Sequence, residues 1–199
     1  MEGLLVIVSG PSGSGKGTVV KQLDPNHGYA LSISVTTRQP RPGEQDGREY
    51  FFATKDEFRK LRDENNLLEY TKYVGNYYGT PRKYVEEQIS QGTVVLLEIE
   101  VDGALQVKEK FPDAVLIFLV APSISELEQR LAGRKTEDTA EVQSRLQRAL
   151  EELELVDKYD YLVINDDVQA AVERVNAIVK AERLKPARCR AEIQHFLKD

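Results

Sequence analysis

One cysteine (Cys189), one methionine, no tryptophan and two histidines (His27 and His195) are all that this 199-residue chain holds of those residue types. A lone cysteine excludes an internal disulfide framework and a cysteine-built zinc site. The histidines stand far apart with no partner pattern around them, so imidazole chemistry has little to build on. Long apolar runs are lacking too. None approaches the roughly 20 residues of a membrane span. No basic segment leading into a long apolar one opens the chain, so neither a membrane anchor nor a secretory signal is expected. Positive charge is also scarce: 27 Lys and Arg stand against 33 Asp and Glu, a net charge of −6 with a pI near 5.2. Nucleic-acid and anionic-membrane binders need a basic face, so neither partner is expected, although a local basic cleft fits within an acidic protein. There is no internal repeat and no low-complexity tract. The expectation is a soluble cytoplasmic protein of one domain, with 41% hydrophobic residues to supply a core.

What is present starts at Ser9 with SGPSGSGKGTVV. The apolar run Gly3 to Val8 precedes it and a helical pattern around Val19 to Leu23 follows it. A glycine-rich turn between a strand and a helix is the setting a phosphate-cradling loop requires. Glycines let successive N–H groups point into one concavity, and the following helix adds its own unpaired N–H groups and positive dipole end. Lys16 contributes a point charge that follows a phosphoryl group as it moves. A plain Gly/Ser turn would not need Gly10, Gly15 and Lys16 at this spacing. Many loops of nucleotide hydrolases place Ser or Thr directly after the lysine, on the metal; here that place is Gly17 and the hydroxyl comes at Thr18. Gly-Lys-Gly-Thr resembles the loop of nucleoside monophosphate kinases. That resemblance implies Mg2+ carried by phosphates and waters, with no direct protein ligand except a possible contact from Thr18.

Three further runs have buried-strand character: Thr93 to Ile99, Ala114 to Val120 and Tyr161 to Asn165. Helical patterns over 81–91, 123–131, 139–156 and 168–184 separate or follow them. Strand and helix in alternation imply an α/β fold, a parallel sheet with helices on both faces. Between Val35 and about Tyr84 the alternation breaks into short polar and aromatic strands around a charged helix from Lys55 to Asn65, which suggests a small mixed-sheet insertion. The cations after Ala181 read as a solvated terminal helix.

The segment Ser34 to Glu44 places Arg38 and Arg41 three residues apart, held by prolines outside any helix. Two arginines so placed can converge on one dianion, and the guanidinium fork suits phosphate. Tyr50 and Tyr78 offer hydroxyls to the same group. Together with the phosphate loop, Gly75-Asn76-Tyr77-Tyr78-Gly79-Thr80 and Val163-Ile164-Asn165-Asp166-Asp167, this segment resembles guanylate kinase from about Gly3 to Leu184, with the motifs in order.

The resemblance implies phosphoryl transfer from ATP to GMP, giving ADP and GDP. It implies a parallel-sheet core (residues 1–34, 85–128 and 149–184), a GMP-binding insertion (35–84) and a helical lid (129–148), with residues 185–199 as a tail. A carboxylate accepting from guanine N1–H and N2–H₂, beside a hydroxyl donating to O6, reads guanine and mismatches adenine. Glu69 looks like that carboxylate, with Ser34 and Thr80 as hydroxyl partners. Arg38, Arg41, Tyr50 and Tyr78 fall to the GMP phosphate, with Glu44 orienting Arg41 or a neighbouring group. Many relatives carry Asp-Ile-Asp and a Gln-Gly pair where this chain has Glu98, Glu100, Asp102 and Gly103. Glu100 is therefore open between guanine, an arginine and a magnesium-bound water, and Asp102 has no role. Lys16, Arg38, Arg130, Arg134 and Arg145 are the expected catalytic cations, and Asn165 is expected to border the adenine. No residue marks itself as a reader of the ribose 2′ position, so dGMP is expected beside GMP. The enzyme is expected as a monomer or homodimer. Guanylate-kinase-like binding modules are the rival class; the retained loop glycines, Lys16 and lid arginines argue against it. A sugar-phosphate acceptor would give Glu69, Ser34 and Thr80 nothing to read. A pure nucleotide-binding regulator would leave the paired arginine sets unexplained.

Overall fold

The computed structural model describes residues 3–23, 28–133, 139–190 and 193. The chain runs β1 (Leu4–Ser9), α1 (Lys16–Gln22), β2 (Tyr29–Leu31), β3 (Val35–Thr36), β4 (Phe51–Phe52), α2 (Lys55–Asp63), β5 (Leu67–Tyr73), β6 (Asn76–Pro81) and α3 (Arg82–Ser90). There follow β7 (Val94–Glu98), α4 (Val101–Lys110), β8 (Val115–Val120), α5 (Ile124–Ala132), α6 (Thr139–Leu153), β9 (Tyr161–Ile164) and α7 (Val168–Arg183).

Five strands form one parallel sheet in the order β2-β7-β1-β8-β9. All six residues of the central strand β1 are buried, because helices cover both faces. Side chains alternate across a strand, so Leu4, Val6 and Val8 pack with Val19 and Val20 of α1 and with Val172, Val175 and Val179 of α7. Leu5 and Ile7 face the other way, onto Val85 of α3 and Ala104 and Val107 of α4. These alternating sides are why an unbroken apolar run here means a doubly covered strand.

The helix α4 begins at Val101, Asp102 and Gly103, in a segment to which the sequence reading assigned no helix; Val101, Gly103, Ala104 and Val107 are buried in it. Poor helix formers are held there by packing rather than by propensity. A second, mixed sheet in the order β4-β3-β6-β5 lies within residues 35–81. Its small core joins Val35, Phe58 and Leu67, and Phe58 stacks on Tyr77 with centroids 5.4 Å apart. The helix α2 is closed at its start by a reciprocal capping box between Thr54 and Glu57. Gln106 of α4 pairs with the carbonyl of Tyr70 (3.1 Å), tying the insertion to the core.

The cations after Ala181 are expected on a solvated helix, but those at Lys185 and Arg188 are partly drawn in. A 3-10 turn at Pro186–Arg188 brings Arg188 to the Asp113 carbonyl (2.7 Å) and to Glu182 (3.3 Å). Glu182 is only 1% exposed; Tyr161 and Lys185 each meet it at 2.5 Å. A buried carboxylate with three partners is satisfied, which is what folds those cations back.

Candidate active site

The loop after β1, the residues after β7 and the residue after β9 all lie at the carboxyl ends of parallel strands. Open α/β sheets bind ligands at that edge. Gly10, Gly13 and Gly15 have positive φ, with Gly15 at 92° as the cap of α1. A Cβ at Gly15 would stand 2.3 Å from Asn165 Nδ2, so the loop closes only with glycine there. Lys16 is buried, and its Nζ donates to the carbonyls of Gly10 (2.6 Å) and Pro11 (3.2 Å), which pins the ammonium across the loop. Thr18 lies exposed on α1.

Asn165 is 3% exposed and is tied to this loop: its Nδ2 donates to the Ser14 carbonyl (2.8 Å). Arg130 Nη2 donates to the Asn165 carbonyl (3.1 Å) while its Nε bonds Glu126 (2.9 Å). Arg145 Nη2 donates to Ser12 Oγ at 2.5 Å, which brings α6 onto the loop. Arg134 lies outside the described residues.

Glu98 ends β7 beside Val8 of β1. A Cβ at residue 17 would stand 3.0 Å from Glu98 Oε1, so the missing hydroxyl residue is what leaves room for this carboxylate. Although Glu98 is exposed, the protein packed around its carboxyl raises it above the usual range; Lys16 opposes that rise and Glu100 adds to it. Glu100, at the start of α4, shares a small pocket with Ser12, Tyr73, Arg145, Arg148 and Glu152. Of the three roles left open for Glu100, this places it among arginines.

Across the cleft, Glu69 of β5 is 2% exposed and accepts from Thr80 Oγ1 at 2.7 Å. Burial pushes its carboxyl up to about 7, against the pull of Thr80 and Lys110. The Thr80 proton is already directed at Glu69, so Thr80 orients the carboxylate, and Ser34, half-buried on the approach to β3, is the hydroxyl that remains. Gly103 of α4 makes room: a Cβ there would lie 2.6 Å from Glu69 Oε2. Glu44 Oε1 accepts from Arg38 Nη2 (2.9 Å), and its other oxygen accepts from the backbone N–H of Arg41 (2.7 Å). That settles which neighbour Glu44 orients: it is Arg38, whose hydrogen bond also holds the Glu44 carboxyl below its usual range. Arg41 itself is exposed. The Arg38 guanidinium lies 5.4 Å from the Tyr50 ring centroid, and Tyr50 meets Tyr78 edge-on at 5.9 Å. Burial lifts the Tyr50 hydroxyl to about 12, so it stays a proton donor at neutral pH.

Sequence reasoning missed Arg148, Tyr73 and the partner of Asp102. Arg148 reads as a helix-surface cation with a glutamate four residues on, and only the fold brings the other two beside it.

A glycine cradle with a buried lysine at the edge of a parallel sheet, facing an insertion that carries arginine and a buried carboxylate, defines a phosphate-loop nucleotide-binding protein. Residues 2–182 match the family model described as guanylate kinase. The crystal structure of guanylate kinase from Anaplasma phagocytophilum is 32% identical, covers 94% of this chain and 89% of its own, and superposes with a TM-score of 0.79. The crystal structure of TT1252 from Thermus thermophilus, 17% identical over 92% of this chain and 98% of that one with a TM-score of 0.53, shares the fold alone. The chain belongs to the guanylate kinase family. It is a nucleoside monophosphate kinase that transfers the γ-phosphate of ATP to GMP. Among the described residues, no helix is long and apolar enough to cross a membrane.

Proposed function

We propose that Glu69 selects the acceptor, that Arg38, Arg41, Tyr50 and Tyr78 hold its phosphate, and that Gly10 to Thr18 hold the ATP phosphates. The observation that carries this reading is a carboxylate only 2% exposed, oriented by Thr80 and given room by Gly103. In its ionised form Glu69 accepts from guanine N1–H and N2–H₂, and Ser34 donates to O6. Adenine would leave that buried carboxylate unpaired, the strong form of specificity. Lys16, Arg38, Arg130 and Arg145 serve the transferring group, where charge develops on the phosphoryl oxygens, and the sequence resemblance assigns Arg134 the same catalytic role. Asn165 serves ATP indirectly, as a strut behind the loop. Glu100 acts through the arginines around it.

The residues fit a divalent cation. Glu98, a carboxylate set against Gly17 and near Lys16, and Thr18 would hold Mg2+ through its waters. When bound, Mg2+ neutralises charge on the β- and γ-phosphates. We place the enzyme in the cytoplasm, working as a monomer or homodimer, with dGMP accepted beside GMP.

The test is the initial rate of ADP formation with Mg-ATP and GMP, dGMP, AMP, CMP, UMP or no acceptor. Turnover confined to GMP and dGMP, with little ATP loss in their absence, is expected. Activity on AMP equal to that on GMP would overturn the role of Glu69. Nucleotide binding without turnover on any acceptor would favour a binding module.

A further inference from the structure

Arg145 and Arg148 stand three residues apart on α6, hence on one side of the helix. Arg145 reaches the donor loop at Ser12. Arg148 reaches the acceptor insertion: its guanidinium carbon lies 5.2 Å from the ring centroid of Tyr73, the last residue of β5. Two carboxylates hold the same guanidinium. Glu152 Oε1 accepts from its Nε at 2.9 Å, and Asp102 Oδ2 on the first turn of α4 lies 3.6 Å from Nη2. Glu100 faces the same pocket. An ordinary helix-surface ion pair accounts for Glu152, one turn along. It does not account for Tyr73 and Asp102, which come from two other elements. Asp102, which sequence reasoning left without a role, thus has a partner.

We propose that Arg148 is a positioning residue that couples the seating of the acceptor nucleotide to the placement of Arg145 on the donor loop. The inference rests on the assignment of the insertion to GMP and of Gly10 to Thr18 to ATP. A shift of the insertion on binding GMP moves Tyr73, and the stacked guanidinium carries that shift to α6, whose next turn back bears Arg145. Asp102 and Glu152 keep the guanidinium plane turned toward the ring. The planar fork matters, since a lysine ammonium keeps a cation–aromatic attraction but makes neither the flat stack nor the paired contacts. A single cation–aromatic contact of this exposure corresponds to about a five-fold effect on an equilibrium.

The test is the affinity for GMP, by calorimetry, with and without a saturating non-hydrolysable ATP analogue and Mg2+. The ratio of the two dissociation constants is the coupling factor. In the wild type each nucleotide is expected to tighten the other. Arg148→Ala is expected to lower that factor about five-fold while the affinity for each nucleotide alone stays unchanged. Arg148→Lys should lose most of it, Tyr73→Phe should keep it, and Tyr73→Leu should lose it with the Glu152 pair intact. A wild type without coupling would overturn the proposal. So would an Arg148→Ala or Tyr73→Leu enzyme with full coupling, or one weakened equally toward each nucleotide alone. Arg38→Ala and Lys16→Ala report separately on the site assignment: unchanged single-nucleotide affinities there would sink that reading while the coupling result for Arg148 stands.

Discussion

The inner strands of the parallel sheet bury Val6, Ile7, Val8, Leu96, Leu116 and Ile117 almost completely, whereas the four-stranded sheet buries the polar residues Thr36, Glu69 and Thr80. The first arrangement draws stability from apolar area removed from water. The second places polar groups where a ligand will meet them and leaves one carboxyl desolvated. On the proposed assignment of Glu69 to the acceptor base, the core is the platform and the insertion the reader.

Substitutions should separate the two regions. Phe118→Ala removes a fully buried ring that meets Tyr159 edge-on at 4.7 Å. It should cost about 3–5 kcal/mol of stability, read as a shift in the denaturant midpoint, with the preference for GMP over AMP unchanged among surviving molecules. A change in that preference would erase the distinction between platform and reader. Lys16→Ala should leave the fold intact and lower kcat by about 10²–10³-fold, as for other single charge-stabilising donors. Loss of thermal stability comparable to that of Phe118→Ala would mean that its bonds to Gly10 and Pro11 hold the fold rather than serve catalysis. Gly103→Ala puts a methyl 2.6 Å from Glu69 Oε2 in a packed helix. A shift of the carboxylate by that methyl should cost about 1–3 kcal/mol, appearing as a raised KM for GMP with the KM for ATP unchanged. An unchanged KM for GMP would show that Glu69 tolerates displacement and does not set the acceptor site.

The same division governs what could be read from sequence. The strands around Val6, Leu96 and Leu116 were legible because doubly covered strands are near-continuous apolar text; the edge strand around Val163 is apolar too, although only Val163 is buried in it. The strand β2, three residues with none fully buried, left no such trace. The helix α4 escaped because Val101 and Gly103 disfavour a helix that only packing secures. In the site, the phosphate loop and the Arg38–Arg41 placement followed from spacing, whereas the choice of Arg38 as the partner of Glu44 came only from the structure. The burial of Asn165, the direction of the Thr80 proton and the Arg148–Tyr73 contact did not follow from spacing, because each depends on elements distant in sequence meeting at one place. Gly17 and Glu98 stand 81 positions apart, a separation read directly from their numbers, and only the register of β1 with β7 explains both.

The carboxyl of Glu69 gives the sharpest contrast between platform and reader. Its folded value of about 7 lies above an unfolded value near 4.5. The folded state therefore keeps a proton that the unfolded chain has released. That contribution to stability is fully present below about pH 4.5, falls as pH rises, and is lost above about 7, a change of about 3 kcal/mol. Glu69→Gln should be more stable than the wild type at pH 8 and should lack this slope.

The deciding measurement is kcat/KM for GMP between pH 5 and 9, for the wild type and for Glu69→Gln. The phosphate of GMP titrates near pH 6 in both cases, so the difference between the two profiles isolates Glu69. The account predicts a wild-type rise through about pH 7 beyond that shared step. It also predicts that Glu69→Gln lacks this rise and loses about 100-fold of the preference for GMP over AMP. Profiles of the same shape, with the GMP preference retained by Glu69→Gln, would contradict the claim that this buried carboxylate reads the base.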